Sequence, residues 1–158
     1  MSTEERISST RVIAAPASAI YALVSSPEGH VQIDGSGMLV AAPDSKQVTA
    51  VGDTFLMHMD RAPLGDFPDM GKYDVTVIIT NIAEDQLVEW GILANDGKPF
   101  GYVYGYALKA VGGNSTEVTS YCDWSGLSEK RKARIAFPIV PLSMMVKSLD
   151  NLEAIVTK

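Results

Sequence analysis

Residues 13–27, IAAPASAIYALVSSP, constrain the fold most, because they predict a strand, an immediate helix and an early helix end. Pro16 fits the first position of a helix, where its missing N–H would be unpaired in any case. Apolar residues then recur at three- and four-residue spacing, which predicts one apolar stripe. The stripe consists of Ala17, Ile20, Leu23 and Val24. Pro27 disfavours the α conformation at Ser26, so we expect the helix to end there.

Most of the remaining chain has the alternation and turn signals of β-structure. After one or two possible helical turns at 28–33, strands are predicted over 38–42, 47–51, 54–59, 73–82, 87–93, 102–109 and 116–125, following a first strand at 6–14. Polar turns such as Asn95-Asp96-Gly97 and Pro43-Asp44-Ser45 separate them. Short connections between successive strands predict an antiparallel meander.

From Pro141 the apolar period becomes helical. The stripe comprises Leu142, Met145, Val146, Leu149, Leu152 and Val156. An antiparallel sheet must bury one face, and this helix is the one large apolar partner available. We therefore predict an α+β fold with a curved antiparallel sheet of about seven strands around a long C-terminal helix, and one domain over residues 1–158.

Composition excludes several classes of function. The net charge of −6 argues against nucleic acid as a partner, since phosphate binding needs a basic footprint. The cluster around Lys130 and Arg134 is predicted as a solvated helical turn. A single cysteine, Cys122, excludes an internal disulfide, and no apolar run is long enough to span a membrane. The first residues lack the apolar core of a signal peptide. We expect a cytoplasmic protein without cofactor or metal, as a monomer or homodimer.

Three segments resemble a known superfamily in their order and spacing. They are Ile13-x-Ala15-Pro16 with Ile20-Tyr21-x-Leu23-Val24-Ser25, then Tyr104-Gly105-Tyr106-Ala107-Leu108, then Thr116-Glu117-Val118-Thr119 with Tyr121-x-Asp123-Trp124-Ser125. With the terminal helix, the sequence resembles the START and polyketide-cyclase (SRPBCC) superfamily, whose fold is the helix-grip. The resemblance implies a deep cavity between sheet and helix that holds apolar molecules. Carriers and cyclases share this fold, so the fold does not choose between them.

Strand alternation supplies candidates for the cavity wall, because polar residues on the water side fix which side chains point inward. The ligand-binding candidates are Phe55, Met57, Met59, Trp90, Ile92, Tyr102, Tyr104, Tyr106, Ser120, Trp124, Leu142, Met145 and Leu149. Three inward tyrosines on one strand need partners for three hydroxyls, which favours a hydrated cavity or a partly polar ligand. Inward methionines suit a wall that adapts to different shapes.

Binding of a small hydrophobic molecule, lipid-like or aromatic, is thus our first hypothesis. The inward positions on these strands contain no Asp, Glu, Lys, Arg or His, and His30 and His58 are predicted at the surface. A polyketide cyclase or dehydrase-like enzyme, with Tyr104 or Tyr106 as hydrogen-bond donor, is the alternative. A protein-interaction module that uses the basic cluster is a third.

The loop 60–71 carries more apolar surface than a plain connection needs, including Phe67 and Met70. Two prolines and two glycines make it irregular. We interpret it as a candidate lid, with these two side chains near the cavity mouth. An ordinary exposed loop is the alternative.

Overall fold

A computed structural model describes residues 5–44, 46–67 and 69–158. Its strands are β1 (Arg6–Ile13), β2 (Leu39–Ala41), β3 (Thr54–Asp60), β4 (Lys72–Ala83), β5 (Leu87–Leu93), β6 (Pro99–Gly112) and β7 (Ser115–Asp123). Its helices are α1 (Ala17–Val24), α2 (Pro27–Ile33), α3 (Glu129–Arg134) and α4 (Leu142–Val156), with a 3-10 turn at Ala62–Leu64. The start of the chain and Ser45 of the predicted 43–45 turn lie outside the described residues.

One antiparallel sheet contains all seven strands, in the order β1-β7-β6-β5-β4-β3-β2. From β3 to β7 each strand pairs with the next along the chain, as the meander predicts, and β1 then pairs with β7. The α+β fold prediction is confirmed: seven strands surround α4, and two short helices follow the first strand.

Local chemistry explains the two helices after β1. Pro16 has an extended backbone and precedes α1 directly, so the helix begins one residue later than the sequence predicts. Ser26 then separates α1 from α2, and its hydroxyl accepts a hydrogen bond from the Gly29 backbone N–H at 3.1 Å. This is an ordinary N-cap, and Pro27 takes the first helical position. The chain therefore turns sharply and packs α2 beside α1.

The predicted strand at 47–51 is wrong. Its backbone groups bond locally: the Val48 N–H donates to the Ser25 carbonyl at 3.0 Å, and the Thr49 and Ala50 N–H groups donate to the Asp53 carboxylate. Val48 is buried beneath the end of α1. The β-branched residues that favoured a strand thus fill a core position and a turn instead of a sheet edge.

Helix α4 is held against α2 by a close backbone approach. The Gly35 N–H donates to Ser148 Oγ at 2.8 Å, and Asn151 Nδ2 donates to the Ile33 carbonyl at 3.1 Å. A Cβ at position 35 would lie 2.3 Å from the Met144 carbonyl oxygen, so only glycine fits there.

The outer face of the sheet has its own anchor at Tyr121. Its ring lies over Gly105, where a Cβ would come within 2.4 Å of the Tyr121 hydroxyl oxygen. That hydroxyl donates to Glu89 at 2.6 Å, and the Arg6 guanidinium lies 4.0 Å from the ring centre. Strands β1, β7, β6 and β5 are thereby tied together on the side away from α4.

Candidate functional site

A cavity of about 960 Å³ lies between the inner face of the sheet and α4. Strands β3 to β7 form its floor, α2 and the N-terminal part of α4 form one wall, and two loops border it. Those loops are 61–70, after β3, and 134–140, between α3 and α4. This is room for an organic molecule of drug size.

An aromatic belt runs along the floor of this cavity. His30 lies 4.4 Å from Trp90 between ring centres, and Trp90 lies 5.8 Å from Tyr106 and 6.3 Å from Tyr104. Tyr104 meets Tyr102 edge-on at 5.9 Å. Aromatic rings offer large apolar contact at little conformational cost, so this belt suits a flat or ring-bearing ligand.

His30 is a buried ionisable group of the cavity wall. It comes from α2, is only 6% exposed, and its Nε2–H donates to the Val24 carbonyl at 2.6 Å. Burial lowers its pKa to about 4, against smaller raising effects from that hydrogen bond and from Asp34. The ring is therefore neutral at pH 7, and the carbonyl partner fixes the proton on Nε2.

The tyrosines of β6 bring hydroxyl groups into the same space. Burial raises the pKa values of Tyr102, Tyr104 and Tyr106, so all three stay protonated at neutral pH. The Tyr106 hydroxyl faces Ser120 of β7 and Ser148 of α4. The Tyr102 hydroxyl makes no hydrogen bond with any described residue. The cavity therefore presents hydrogen-bond donors within an apolar surround.

Arg61 lies at the cavity border, and an ion pair already balances its charge. Its side chain is 10% exposed and forms a two-point ion pair with Asp66, at 2.9 Å from Nε and 2.8 Å from Nη2. This pair lowers the pKa of Asp66 and raises that of Arg61. The Phe67 ring lies 5.1 Å from the guanidinium carbon. The loop is thus folded around Arg61 instead of extending into solvent.

Comparison with known proteins gives a consistent structural result. No protein-family model matches the sequence. Uncharacterized protein Rv0088 of Mycobacterium tuberculosis is 27% identical over 119 residues, covering 75% of this chain and 47% of its own length. The chain thus spans about half the length of that relative.

Among solved structures, protein CV1439 from Chromobacterium violaceum superposes with a TM-score of 0.67 at 15% identity, over 98% of both chains. Major latex-like protein 151 from Panax ginseng gives 0.65 at 15% identity over 97% of both chains. Norcoclaurine synthase from Thalictrum flavum, a point mutant in complex with a transition-state analogue, gives 0.63 at 16% identity, over 96% of this chain and 93% of that one. This chain has the helix-grip fold. It is the fold of the START and polyketide-cyclase superfamily, as the sequence resemblance predicts.

The helix-grip arrangement brings nine of the thirteen predicted ligand-binding residues into the cavity wall. They are Met57, Met59, Trp90, Ile92, Tyr102, Tyr104, Tyr106, Ser120 and Met145. Strand alternation explains this outcome, because the inward face of each strand is the face that α4 covers. Their role in binding stays a prediction.

The other four predicted residues lie elsewhere in the helix-grip structure. Phe55 and Leu149 belong to the packed core, and Leu142 at the start of α4 is 42% exposed. Trp124 lies one residue past β7 and stacks on Phe137 at 5.5 Å, beside a smaller cavity of about 280 Å³. The helical phase of Leu142 predicts an inward position, but the buried residues of α4 begin only with Met145.

The prediction of a surface His30 is wrong, whereas His58 is indeed exposed and bonds Asp74 at 2.6 Å. His30 shares a helix face with Pro27 and Ile33, both buried, and this three-residue spacing was the available signal. The inward strand positions carry no such group, so alternation along strands alone could not reveal it. Arg61 and Tyr73, which meet at 3.4 Å, were also missed.

Phe67 and Met70 both line the cavity, as the lid interpretation expects, and they are 58% and 45% exposed. Pro68 between them lies outside the described residues. In the described parts of the chain no helix could cross a membrane, and no three His, Cys, Asp or Glu side chains gather as metal ligands.

Proposed function

We propose that this protein binds a small, mostly apolar molecule with an aromatic part in the cavity between sheet and α4. The observation that carries the proposal is the cavity of about 960 Å³, whose wall combines the aromatic belt with methionines. Rings supply contact area and thioether side chains adapt to ligand shape. We further propose one ligand-binding domain over residues 1–158, cytoplasmic, acting as a monomer or homodimer.

The expected affinity follows from the area that a ligand would bury. Burial of about ten CH₂ equivalents contributes on the order of 8 kcal/mol. The loss of freedom on association offsets about 4 kcal/mol or more of this. The remaining free energy of about 4 kcal/mol corresponds to a dissociation constant on the order of 1 mM, and a ligand that buries more apolar area would bind more tightly.

Trp90 provides a direct reporter of occupancy. The chain has two tryptophans, and Trp124 lies outside the main cavity, so Trp124→Phe leaves Trp90 as the sole indole. In that background we expect saturable quenching or a spectral shift of Trp90 fluorescence with a flavonoid, while a fatty acid and a sterol serve as comparison ligands without an aromatic part. No saturable response to any of the three would contradict the proposal.

A matched pair of variants separates the cavity from the rest of the surface. Val75→Phe adds a ring to the cavity wall on β4, whereas Val12→Phe makes the same change at an exposed position of β1. We expect Val75→Phe to weaken binding by about tenfold or more, since the added ring occupies ligand volume. Val12→Phe should bind like wild type. Equal binding by both variants would place the ligand outside the cavity.

An enzyme acting on a carbonyl compound is the second candidate. Neutral His30 and protonated tyrosines in one cavity favour it, because a tyrosine hydroxyl can donate to a developing oxyanion. Loss of turnover in Tyr106→Phe with retained ligand binding would support this function. A protein-interaction module at α3 is the third candidate, and recovery of a stable hetero-complex with an empty cavity would favour it.

A further inference from the structure

His30 offers the cavity a hydrogen-bond acceptor that the protein itself does not use. Its Nε2–H is donated to Val24, so the lone pair of the neutral ring is on Nδ1. Nδ1 bonds no described residue. In the described chain no unpaired side-chain nitrogen or oxygen is sealed from solvent, so Nδ1 must be open. His30 lines the cavity and is 94% buried, since its exposure is 6%, and its opening is therefore toward the cavity.

The charges around the cavity disfavour an anionic group at this depth. Arg61 is committed to Asp66 by its two-point ion pair. Asp34, near His30, accepts hydrogen bonds from the Ser36 N–H and hydroxyl and from the Leu39 N–H, and it adds negative charge. A ligand carboxylate beside Nδ1 would meet a lone pair and a carboxylate. Arg134, the other arginine of the described cavity wall, is exposed at its border, so no free buried cation among the described residues offsets the desolvation of that carboxylate.

A neutral hydroxyl group fits the same place. It can donate to Nδ1, while the ring that carries it stacks along Trp90, 4.4 Å from His30. We propose that the cavity selects neutral hydroxylated aromatic compounds, with Nδ1 of His30 as the acceptor of the ligand hydroxyl. This inference rests on the proposed function and makes His30 a specificity-determining residue of the same site.

Three naphthalene probes of similar size test the proposal. 2-Naphthol carries the hydroxyl donor, 2-methoxynaphthalene lacks it, and 2-naphthoate replaces it with a carboxylate. In wild-type protein at pH 7 we expect 2-naphthol to bind about tenfold more tightly than 2-methoxynaphthalene, the size of effect that one satisfied buried acceptor gives. The carboxylate probe should bind most weakly. Equal affinities for naphthol and its methyl ether would overturn the inference but leave the proposed function intact.

The residue itself is tested by His30→Phe, which keeps an aromatic ring against Trp90 but removes the acceptor. The naphthol preference should fall to about twofold or less, while the affinity for 2-methoxynaphthalene stays near that of wild type. His58→Phe is the matched control, because it makes the same substitution at an exposed histidine outside the cavity wall. A merely structural role of His30 would weaken both probes equally, and that result would contradict the inference.

A spectroscopic measurement on wild type covers the case in which His30→Phe does not fold. The chain has two histidines, so protein with 15N-labelled histidine shows two imidazole rings. Saturating 2-naphthol should move the Nδ1 resonance of His30 upfield, as expected for a nitrogen that accepts a hydrogen bond, and 2-methoxynaphthalene should not. His58 serves as the internal reference. An unchanged Nδ1 resonance in the naphthol complex would refute the contact, whereas absence of binding by all three probes would remove the proposed function as well.

Discussion

The two halves of α4 face the same sheet, but one half packs into the core and the other lines the cavity. Toward its C-terminus, Leu149 and Leu152 are fully buried against Ile13, Ile20 and neighbouring strands. Toward its N-terminus, Met145 and Ser148 border the cavity, and Leu142 is exposed. The same apolar stripe thus packs into the core at the C-terminal end of α4 and covers the cavity at its N-terminal end. The hydrophobic pattern of the helix sets which face points inward, whereas the distance to the sheet decides whether that face meets protein or space.

This difference shows where the stability of the molecule resides. A side chain surrounded by protein loses all its contacts when it is truncated, whereas one that faces a cavity has fewer contacts to lose. The packed half can therefore stabilise the fold while the hollow half remains available for a ligand.

Truncation on each half of α4 should give the largest contrast. We expect Leu149→Ala to lower the free energy of unfolding by about 4 kcal/mol, because it leaves a sealed void in the packed core. Met145→Ala should cost about 1–2 kcal/mol, since it enlarges a cavity that already exists. Urea unfolding of both variants measures the difference. Equal losses would mean that the two halves of the helix are packed alike in solution.

His30 lies between the packed core and the cavity, and its titration gives the next largest expected effect on stability. Its ring contacts Phe55 of the core edge-on at 5.8 Å and Trp90 of the cavity wall at 4.4 Å. The pKa of His30 falls from 6.5 in the unfolded chain to about 4 in the fold. Between these values the unfolded state binds the additional proton, so folding stability decreases as the pH falls through this interval. Asp34 faces the ring and reduces the shift.

The expected loss from this group is on the order of 3 kcal/mol between pH 6.5 and pH 4. Urea unfolding of wild type and His30→Phe across that range isolates this contribution, because the carboxylates other than Asp34 contribute equally to both proteins. The stability of the His30→Phe variant should depend less steeply on pH than that of wild type. Parallel curves for wild type and His30→Phe would show that His30 is solvated and that the boundary between the halves is open to water.

The features that depend on local chemistry were the more predictable from sequence. Pro16 and the apolar spacing from Ala17 to Val24 predict α1 within one residue, and the polar turns predict the meander, because both depend on local chemistry. Alternation also identified inward residues such as Met57 and Trp90. These patterns repeat along the chain, so no knowledge of distant contacts is needed.

Three other features depended on contacts that no local pattern records. Residues 47–51 have strand composition, yet their N–H groups are taken by Ser25 and Asp53. His30 is buried because α2 lies over the sheet, and Arg61 is buried because Asp66 folds back on it. Each depends on where a segment is placed in three dimensions.

The smallest expected effect is at the Arg61–Asp66 ion pair, which lies at the cavity border. Asp66→Ala removes the carboxylate that holds Arg61 in two hydrogen bonds, and Asp69→Ala makes the same change at an exposed position of the same loop. Asp66 is itself 39% exposed, so solvent screens the ion pair. We therefore expect its removal to destabilise the loop conformation of the structure, relative to an opened loop, by about 1 kcal/mol. Local opening exposes the peptide bond after Arg61 to trypsin, and cleavage of native protein follows the population of the open form. Cleavage there should accelerate about fivefold in Asp66→Ala and remain at the wild-type rate in Asp69→Ala.

The same cleavage assay tests whether the loop acts as a lid. If ligand-saturated wild-type protein is cleaved more slowly than the free protein, the loop closes over an occupied cavity and acts as a lid. Equal rates with and without ligand would make it an ordinary border loop.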